Sequence, residues 1–395
     1  MKSRTDCPGC GNRTLSAPFC LPRQPVVLNY RFRTAEDAAG VPRRAVTLRQ
    51  CRNCGLVFNA TFDITAIPYD ENYENRQSFS PAFQAHLDTL AAALTRRNKL
   101  QGGRILEVGC GKGDFLRLLC ATANAKGVGY DTSYEPREEP AGLEFHKRYV
   151  RAADVTRPFD AVICRHVIEH VPEIGAFLRE LCEIAVAAGD PVVVLETPRF
   201  EWIVEQLSLW DLFYEHCNYF PTATLAHLCR LAGFRVVRQR GVFGDQYQVL
   251  EMRVATSFRS RPASAEHPSG LRLTPPGVPK EADLGRFSGR ARRHFEGLAK
   301  KIAKAADGSG WAVWGAGAKG VALVNHLRGI RPRCVVDSNP AKQGGVLPGS
   351  RIPIVAPDDA RLLKLGLIVI ANPNYAREIG DVLQQRGFAG RTLTL

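Results

Sequence analysis

The chain has 395 residues, which suggests roughly two or three domains, each long enough to bury its own core. It carries 53 Lys and Arg against 39 Asp and Glu, and this excess of +14 is dispersed along the sequence. No apolar run reaches the about 18 residues of a membrane helix, and the first residues lack the apolar stretch of a signal peptide. These features argue against a membrane partner, and we expect a cytoplasmic protein.

The first recognisable elements are two cysteine knuckles, Cys7-Pro-Gly-Cys10-Gly and Cys51-Arg-Asn-Cys54-Gly. Cytoplasmic cysteines are expected to be reduced, and two thiolates across a two-residue spacer can grip one tetrahedral ion. The predicted ligands of a structural Zn²⁺ are Cys7, Cys10, Cys51 and Cys54. Four protein ligands leave no open position, so we do not expect a catalytic zinc. About 40 residues separate the knuckles, more than in a compact zinc ribbon, so residues 26–32 and 44–48 are expected to form strands.

A strand, a tight turn and a helix are predicted between Arg104 and Leu119. The apolar run Ile105–Val108 indicates a buried parallel strand, three alternating glycines indicate the turn, and the apolar residues from Phe115 onward indicate the helix. Glycines let a ligand approach the backbone, and the helix offers unpaired N–H groups. Because Glu107 and Asp114 would repel a pyrophosphate, we expect a cationic, phosphate-free ligand such as S-adenosylmethionine. The predicted binding residues in this corner are Glu107, Gly109, Cys110, Gly111 and Gly113.

Two later segments extend this prediction. Val128–Asp131 places a carboxylate at the end of the next strand, where Asp131 can accept both hydroxyls of a ribose. Residues 159–164 are predicted to form the fourth strand, which runs into Arg165 and His166. Together with the spacing Glu-x-Gly-x-Gly-x-Gly, these segments resemble class I methyltransferases more closely than the dinucleotide fingerprint. The resemblance implies that Arg165 and His166 line the methionine end of the S-adenosylmethionine pocket.

The segment His166-Val-Ile-Glu169-His170 also matches a zinc-peptidase pattern, His-x-x-Glu-His. In peptidases the two histidines lie on one face of a helix and the glutamate acts as the base. Here the segment is predicted to leave a strand at the carboxyl edge of a sheet, and no later glutamate ligand is indicated. We therefore do not favour a peptidase.

After a predicted buried strand at 192–198, aromatic and ionisable residues crowd together from Phe213 to Phe220, just before a predicted helix at 222–232. With a zinc module before the core and another domain after it, this arrangement resembles the nucleotide-sugar C-methyltransferases. Those enzymes carry a Tyr-His-Glu-His-x-x-Tyr-Phe stretch at this place, in which the last histidine is thought to be the base. Glu215 and His216 match the pattern, whereas Phe213 and Tyr214 replace its first two residues.

A second strand, glycine turn and helix are predicted at the C-terminal end, after a linker rich in Pro, Ser and Gly. Trp311–Gly320 supplies the turn, and Asp337 follows about 20 residues later, as in a dinucleotide site. Only about 90 residues are available, too few for a complete dehydrogenase. In the family that the chain resembles, this small domain closes over the sugar nucleotide, although its glycine turn could also be purely structural.

These elements predict an α/β protein: a class I methyltransferase doubly wound sheet, with a small N-terminal zinc module and a second Rossmann-like domain. The predicted divisions are residues 1–66 for the zinc module, 67–256 for the methyltransferase domain, 257–305 for a linker and helix, and 306–395 for the Rossmann-like domain. The basic cluster at 290–304 is predicted to be the solvated face of an amphipathic helix.

The resemblance implies methylation of a carbon beside a ketone, which needs a base to remove a proton and a donor to hold the enolate. We predict His216 as the base, Glu215 as the group that orients or charges it, and Tyr73 or Tyr214 as the donor. Alternatively, His216 only closes the pocket, and the acceptor atom is an oxygen or a nitrogen.

The expected partner is a small-molecule acceptor, a nucleotide sugar by resemblance, with S-adenosylmethionine and Zn²⁺ as cofactors. A dispersed positive charge suits a small polyanion as well as a nucleic acid, and we do not expect nucleic acid as the partner. Two alternatives stay open: a zinc-bearing RNA methyltransferase, and a nicotinamide-binding protein that uses the turn at Gly315–Gly320.

Overall fold

The structure is a computed structural model, and it describes residues 3–68, 70, 72–74, 76–259, 274–306, 308–327 and 329–395. Residues 260–273 of the predicted linker lie outside this part of the chain. The strands form three sheets of four, seven and five strands. Within the described residues, no helix combines the length and the apolar character that a membrane crossing needs.

The first sheet contains the N-terminal region and one strand from far along the chain. Its strands are β1 (Phe19–Pro25), β2 (Arg43–Gln50), β3 (Val57–Asn59) and β9 (Asn218–Tyr219), with the short helix α1 (Ala35–Ala39) between β1 and β2. Neighbouring strands are antiparallel, and Val57 pairs with Tyr219. The strand predicted at 44–48 is confirmed within β2.

The strand predicted at 26–32 is wrong, because this segment is buried but irregular. Its apolar residues Val26, Val27 and Leu28 are almost fully buried. The backbone N–H of Leu28 donates to the Glu215 carboxylate, and the carbonyl of Asn29 accepts from the N–H of Glu74. The apolar run therefore predicts burial correctly, whereas the hydrogen bonds of its backbone go to a side chain and a loop instead of a neighbouring strand.

The second sheet has the order β10-β11-β8-β7-β4-β5-β6. Its strands are β4 (Arg104–Val108), β5 (Lys126–Tyr130), β6 (Leu143–His146), β7 (Ala161–Arg165), β8 (Val192–Pro198), β10 (Phe234–Val242) and β11 (Tyr247–Val254). The helices along it are α2 (Pro81–Asn98), α3 (Asp114–Ala123), α4 (Ile174–Ala187), α5 (Phe200–Glu205), α6 (Thr222–Leu231) and α7 (Thr256–Arg259). Strands β4 to β8 are parallel, and β11 is antiparallel to both of its neighbours. The predicted doubly wound sheet is confirmed.

The direction of winding reverses between β4 and β7, which opens a crevice at the carboxyl ends of these strands. Helix α3 closes one side of it, because Phe115, Leu116 and Leu119 bury one face of the helix against the sheet. Gly113 caps this helix with a φ of 82°, a left-handed conformation that glycine adopts without strain. The strand, turn and helix predicted between Arg104 and Leu119 are thus present.

The third sheet is wholly parallel, with the order β14-β13-β12-β15-β16. Its strands are β12 (Trp311–Trp314), β13 (Cys334–Val336), β14 (Ile354–Val355), β15 (Leu367–Ile370) and β16 (Arg391–Thr394). The helices of this region are α8 (Leu284–Ala305), α9 (Ala318–His326) and α10 (Ala376–Gln385). Here the winding reverses between β12 and β15, so a second crevice forms at their carboxyl ends.

Helix α8 joins the cores of the first and third sheets. Its buried residues Phe287, Phe295 and Ile302 belong to one hydrophobic cluster that also contains Phe19 and Trp311. The basic side chains on the opposite face are exposed, as predicted for an amphipathic helix; they are Arg286, Arg290, Arg292, Arg293, Lys300, Lys301 and Lys304.

Candidate active site

A cleft of about 790 Å³ lies where the carboxyl ends of the second and third sheets face each other. The structure brings most of the predicted site residues to its walls: Tyr73, Glu107, Gly109, Cys110, Gly111, Asp131, Arg165, His166 and His216. Of the residues predicted for catalysis and cofactor binding, three do not belong to the lining: Gly113, Tyr214 and Glu215. A Cβ on Gly113 would meet the Phe145 ring at 2.5 Å, so this glycine is needed for the turn and its packing.

The Asp131 carboxylate lies directly over the glycine turn. One oxygen accepts the N–H of Gly111 at 2.8 Å, and the other accepts the N–H and the hydroxyl of Ser133 at 2.7 Å. At Gly111 φ is 55°, and a Cβ would find no atom of the described chain within 4 Å. The turn therefore leaves an open cradle beside a partly exposed carboxylate, which suits a ribose and the backbone approach of a nucleoside.

We expect Asp131→Ala to weaken S-adenosylmethionine binding by about 1.5–3 kcal/mol, the usual range for hydrogen bonds to a charged group. Calorimetric titration measures the change. Asp337→Ala is the matched control, because it removes a carboxylate with similar backbone bonds from the other sheet. Equal affinities for the native protein and Asp131→Ala would contradict the ribose assignment.

Glu107 is a buried acid at the floor of the cleft. Its side chain is 2% exposed, and its Oε2 atom has no hydrogen-bond partner within the described part of the chain. Burial raises the pKa of Glu107 to about 8, the charge of Asp131 adds to this effect, and Arg165 opposes it. Near neutral pH this carboxyl is therefore protonated in the ligand-free protein, and it is poised to ionise beside a cationic ligand.

We expect Glu107→Gln to stabilise the ligand-free protein at pH 8 by up to about 4 kcal/mol, with little effect at pH 4. A carboxyl whose folded-state pKa is raised costs stability as the pH rises from the unfolded pKa of 4.5 to about 8, and glutamine removes this cost. Urea unfolding at intervals between pH 4 and 9 measures the difference. Parallel stability curves for the two proteins would contradict a raised pKa.

A charged network that the sequence reasoning missed supports Arg165 and His166. Arg165 contacts Glu196 and lies 4.1 Å from the centre of the Phe115 ring, while His86 bonds to Glu196 at 3.1 Å. His166 has a left-handed φ of 53°, and its ring lies 4.6 Å from that of Tyr247. One feature of the sequence could have indicated this network. Glu196 is a charged residue inside the otherwise apolar strand β8, and a buried charge needs partners.

His216 lies at the cleft beside a second imidazole and a carboxylate. The centre of its ring is 4.2 Å from that of Phe213 and 4.8 Å from that of His170. A carboxylate oxygen of Glu169 and one ring nitrogen each of His170 and His216 all lie within 4.8 Å of one another. Burial and His170 hold the pKa of His216 well below its usual range, while Glu169 opposes them. Burial would raise the pKa of Glu169, but the neighbouring imidazoles hold it at about 2, so this carboxylate is charged.

Glu215 and Tyr214 lie away from the positions predicted for them. The fully buried Glu215 carboxylate accepts hydrogen bonds from the backbone of Leu28 and Asn29 and from the Tyr73 hydroxyl at 2.9 Å, and none from His216 among the described contacts. Glu169, and not Glu215, is the carboxylate grouped with His216. The buried Tyr214 hydroxyl accepts the N–H of Asp63 at 3.0 Å, on the core side of the segment.

The four knuckle cysteines converge at one point. The Sγ atoms of Cys7 and Cys54 are 3.6 Å apart, as are those of Cys10 and Cys51, and all four lie within 4.8 Å of one another. Zinc–sulfur bonds of about 2.3 Å place tetrahedral thiolates about 3.8 Å apart, so this donor set fits Zn²⁺. The Thr224 hydroxyl donates to the Cys54 carbonyl at 2.6 Å, which fastens the second knuckle to helix α6.

The third sheet presents its own glycine turn to the same cleft. Gly315, Gly317 and Asp337 line the cleft, together with Lys319 and Lys342. The Lys319 ammonium lies 2.8 Å from the Asp211 carboxylate and 4.0 Å from the centre of the Trp202 ring. The Lys342 ammonium donates to the Ala316 carbonyl at 3.1 Å. This side of the cleft therefore carries two lysines, of which Lys319 is paired with Asp211, and the opposite side carries the carboxylates of Asp114 and Asp131.

Two family models match the chain in succession. The model described as a methyltransferase domain matches residues 82–239, and the model described as a C-methyltransferase C-terminal domain matches residues 276–393. The first match covers strands β4 to β8 of the second sheet and part of β10, and the second match covers the region of the third sheet.

The chain is also similar to individual known proteins. The chain is 31% identical over 366 residues to the C-methyltransferase NovU of Streptomyces niveus, an alignment that covers 88% of this chain and 84% of NovU. It is 28% identical over 141 residues to the ubiquinone biosynthesis O-methyltransferase of Sodalis glossinidius, with 33% and 55% covered. A solved magnesium protoporphyrin IX methyltransferase from Synechocystis, with bound SAH, is 20% identical and covers 44% of this chain and 84% of its own, at a TM-score of 0.34.

Proposed function

Because the chain belongs to the family of S-adenosylmethionine-dependent C-methyltransferases, we propose that it methylates a carbon beside a ketone in a nucleotide-linked sugar. The observation that carries this proposal is the position of His216, in a cleft between the glycine turns of the second and third sheets. The imidazole supplies a base for the carbon acid. The two turns supply binding sites for two ligands.

The glycine turn of the second sheet, at residues 109–113, is the proposed site of the methyl donor. S-adenosylmethionine brings an electrophilic methyl group on a positively charged sulfur. In this proposal Asp131 accepts the ribose hydroxyls, Gly109, Cys110 and Gly111 provide the close backbone approach, and Arg165 and His166 lie at the methionine end. The buried Glu107 carboxyl ionises next to the cationic ligand, which favours S-adenosylmethionine over the neutral sulfur of its product.

The glycine turn of the third sheet is the proposed site of the acceptor's phosphates. Gly317 is the N-cap residue of helix α9, and no side chain of the described residues caps the first N–H groups of this helix. Unpaired N–H groups at a helix N-terminus attract phosphate, and Lys319 lies in the first turn of the helix. Lys342 adds a second cation nearby. A nucleoside diphosphate therefore suits this wall better than the opposite wall, where the carboxylates of Asp114 and Asp131 lie.

His216 is the proposed general base. A proton alpha to a ketone is weakly acidic, so the imidazole must gain stability when it takes the proton. The charged Glu169 carboxylate, grouped with His216, stabilises the resulting imidazolium, while His170 and burial disfavour it. In this proposal Glu169, instead of the predicted Glu215, stabilises the positive charge on the His216 imidazolium.

Tyr73 is the proposed donor to the enolate oxygen. It lines the cleft, and the Glu215 carboxylate holds its hydroxyl at 2.9 Å. In this proposal Glu215 positions the phenol, which turns its proton from the carboxylate to the enolate oxygen as negative charge develops there. Phe213 occupies the cleft wall beside His216, so that position supplies no second hydroxyl.

The four-cysteine site is proposed to hold a structural zinc. Cys7, Cys10, Cys51 and Cys54 fill a tetrahedral shell, so they leave no open position for substrate. The thiols are not part of the cleft lining. We propose that the zinc fixes the second knuckle and, through it, strand β3.

Mass spectrometry of reactions with S-adenosylmethionine and a panel of nucleotide-linked keto-sugars tests the proposed function. We expect a mass gain of one methyl group on the sugar carbon next to the ketone, located by fragmentation. Reduced sugars with a hydroxyl in place of the ketone are the matched controls and should not react. A product methylated on oxygen or nitrogen would contradict the carbon-acid mechanism and leave the donor site unaffected.

A further inference from the structure

The segment His166-Val-Ile-Glu169-His170 matches a metal-binding pattern, and the fold changes which of its residues lie together. In a peptidase both histidines of the pattern bind the ion. Here Glu169 and His170 converge with His216, which follows strand β8 in the chain. One donor atom from each of these three side chains lies within 4.8 Å of the other two. Two imidazoles and one carboxylate are a common donor set for transition metal ions.

Two hydrogen bonds hold the segments of this cluster together. The Cys217 N–H donates to the Glu169 carbonyl at 2.8 Å, and the Nδ1 atom of His170 lies 2.9 Å from the Glu215 carbonyl oxygen. Since a carbonyl oxygen only accepts, Nδ1 of His170 carries the proton and Nε2 has the lone pair. Metal-binding histidines are commonly oriented by such a hydrogen bond from their second nitrogen. The fold itself therefore keeps the donor groups close together.

The Glu169 carboxylate has unused acceptor capacity. Its residue is 1% exposed, and its Oε2 atom accepts the Thr197 hydroxyl at 3.0 Å. Its Oε1 atom accepts no hydrogen bond within the described part of the chain, although Nδ1 of His166 lies 3.3 Å away. Because a buried charged oxygen needs a partner, this position favours a cation beside it.

The cluster opens to the cleft on one side. Glu169, His170 and His216 all line the cleft, and both imidazoles are half-buried. Zinc bonds to nitrogen and oxygen of about 2.0–2.2 Å place tetrahedral donors about 3.3–3.6 Å apart, so these side chains need to close by at most about 1.5 Å. Three protein ligands leave the fourth position to water from the cleft.

We propose that Glu169, His170 and His216 form a second metal site, for a divalent transition metal ion such as Zn²⁺, and that this ion inhibits the enzyme. The inhibition rests on the proposed function, since it takes His216 as the base. A neutral imidazole has one lone pair on its basic nitrogen, and the metal uses the same lone pair that would accept the proton. Metal binding and proton removal therefore exclude each other. Imidazole ligands also favour Zn²⁺, Cu²⁺ and Ni²⁺ over Mg²⁺.

Calorimetric titration of the full-length protein with Zn²⁺ tests the site, after metal analysis has given the starting zinc content. We expect one further equivalent of Zn²⁺ to bind, and Mg²⁺ at the same concentration not to bind. His170→Ala and Glu169→Gln should each weaken Zn²⁺ binding by about 10-fold or more, the loss that is typical even for residues that only orient a ligand. His294→Ala removes an exposed imidazole from helix α8 and should leave the binding unchanged.

Titration with Co²⁺ distinguishes this site from the four cysteines. Cobalt held by thiolates has an intense charge-transfer band in the near ultraviolet, whereas cobalt held by imidazole and carboxylate has only weak visible bands. We expect the weak bands alone, and we expect His170→Ala and Glu169→Gln to lose them. Thermal melting checks the fold of both variants, and the half-buried His170 remains informative if the substitution of the buried Glu169 prevents folding.

Hydrogen exchange tests the inhibition separately from binding. With S-adenosylhomocysteine bound, the enzyme without added metal should exchange the hydrogen next to the ketone of an acceptor with deuterated water. Zn²⁺ should stop this exchange in proportion to the occupancy measured by calorimetry, and EDTA should restore it.

The outcomes that would overturn the inference differ from those that would overturn the proposed function. No further equivalent of metal, or binding that both substitutions leave unchanged, would remove the second metal site and leave the proposed function standing. Exchange that continues in the occupied enzyme, or that the metal stimulates, would remove the inhibition. An enzyme that shows no exchange without added metal would contradict the proposed base and with it the inhibition, while calorimetry would still decide the metal site.

Discussion

His216→Ala is expected to lose methyl transfer by about 10²–10⁴-fold, the usual contribution of a general base. In deuterated water, the native enzyme should also exchange the hydrogen next to the ketone of an acceptor, and the variant should lose this exchange by a similar factor. Exchange is best observed with S-adenosylhomocysteine bound, because no methyl transfer then competes with reprotonation. Mass spectrometry of the recovered acceptor measures the deuterium.

The control for this prediction is His294→Ala, the same chemical change at an exposed position on helix α8. It should leave exchange and turnover unchanged. An active His216→Ala enzyme would show that the imidazole has no catalytic role. Loss of turnover with exchange intact would place His216 in methyl transfer or acceptor alignment instead of proton removal.

Cys54→Ser is expected to release the metal and unfold the N-terminal sheet, the largest stability effect that the structure suggests. Structural zinc contributes about 10–16 kcal/mol of binding free energy in small domains, which exceeds the stability of many whole domains. Cys54 also lies three residues before strand β3, and β3 pairs with the strand that follows His216. Metal analysis should therefore find close to one zinc per native chain, and thermal melting should show a large loss of stability in the variant.

Cys20→Ser is the matched control, because Cys20 is exposed and lies outside both knuckles. It should keep the zinc and melt like the native protein. Cys7→Ser should behave like Cys54→Ser, since both cysteines belong to the same converging set. A metal-free protein that melts normally would rule out a structural role for zinc.

The sequence predicts the two glycine turns well because local rules determine them. Alternating glycines after a short apolar run fix a strand, a turn and a helix, and an aspartate about 20 residues later falls at the same edge of a parallel sheet. The same reasoning could not place Glu215, because adjacent residues in the segment after β8 point to different sides. His216 lies at the cleft and Glu215 is buried against residues 28 and 29.

Contacts between distant segments explain why the sequence did not predict the other features. The apolar residues 26–28 predict burial, but nothing near them shows that Glu215, almost 190 residues away, accepts their hydrogen bonds. In the sequence Glu169 matches a peptidase pattern, whereas its neighbour in the structure, His216, comes from another segment. Such partners become visible only when the chain folds, because no periodicity links residues from different elements.

The pairing of β3 with β9 has a consequence for the order of events during synthesis. Val57 and Phe58 leave the ribosome about 160 residues before Tyr219 and Asn218, their partners in the sheet. At a synthesis rate of roughly 5–20 residues per second, the edge of β3 waits on the order of ten seconds or more without its neighbour. A nascent chain stalled before residue 218 would expose an unpaired strand edge, a surface that chaperones and aggregation both recognise.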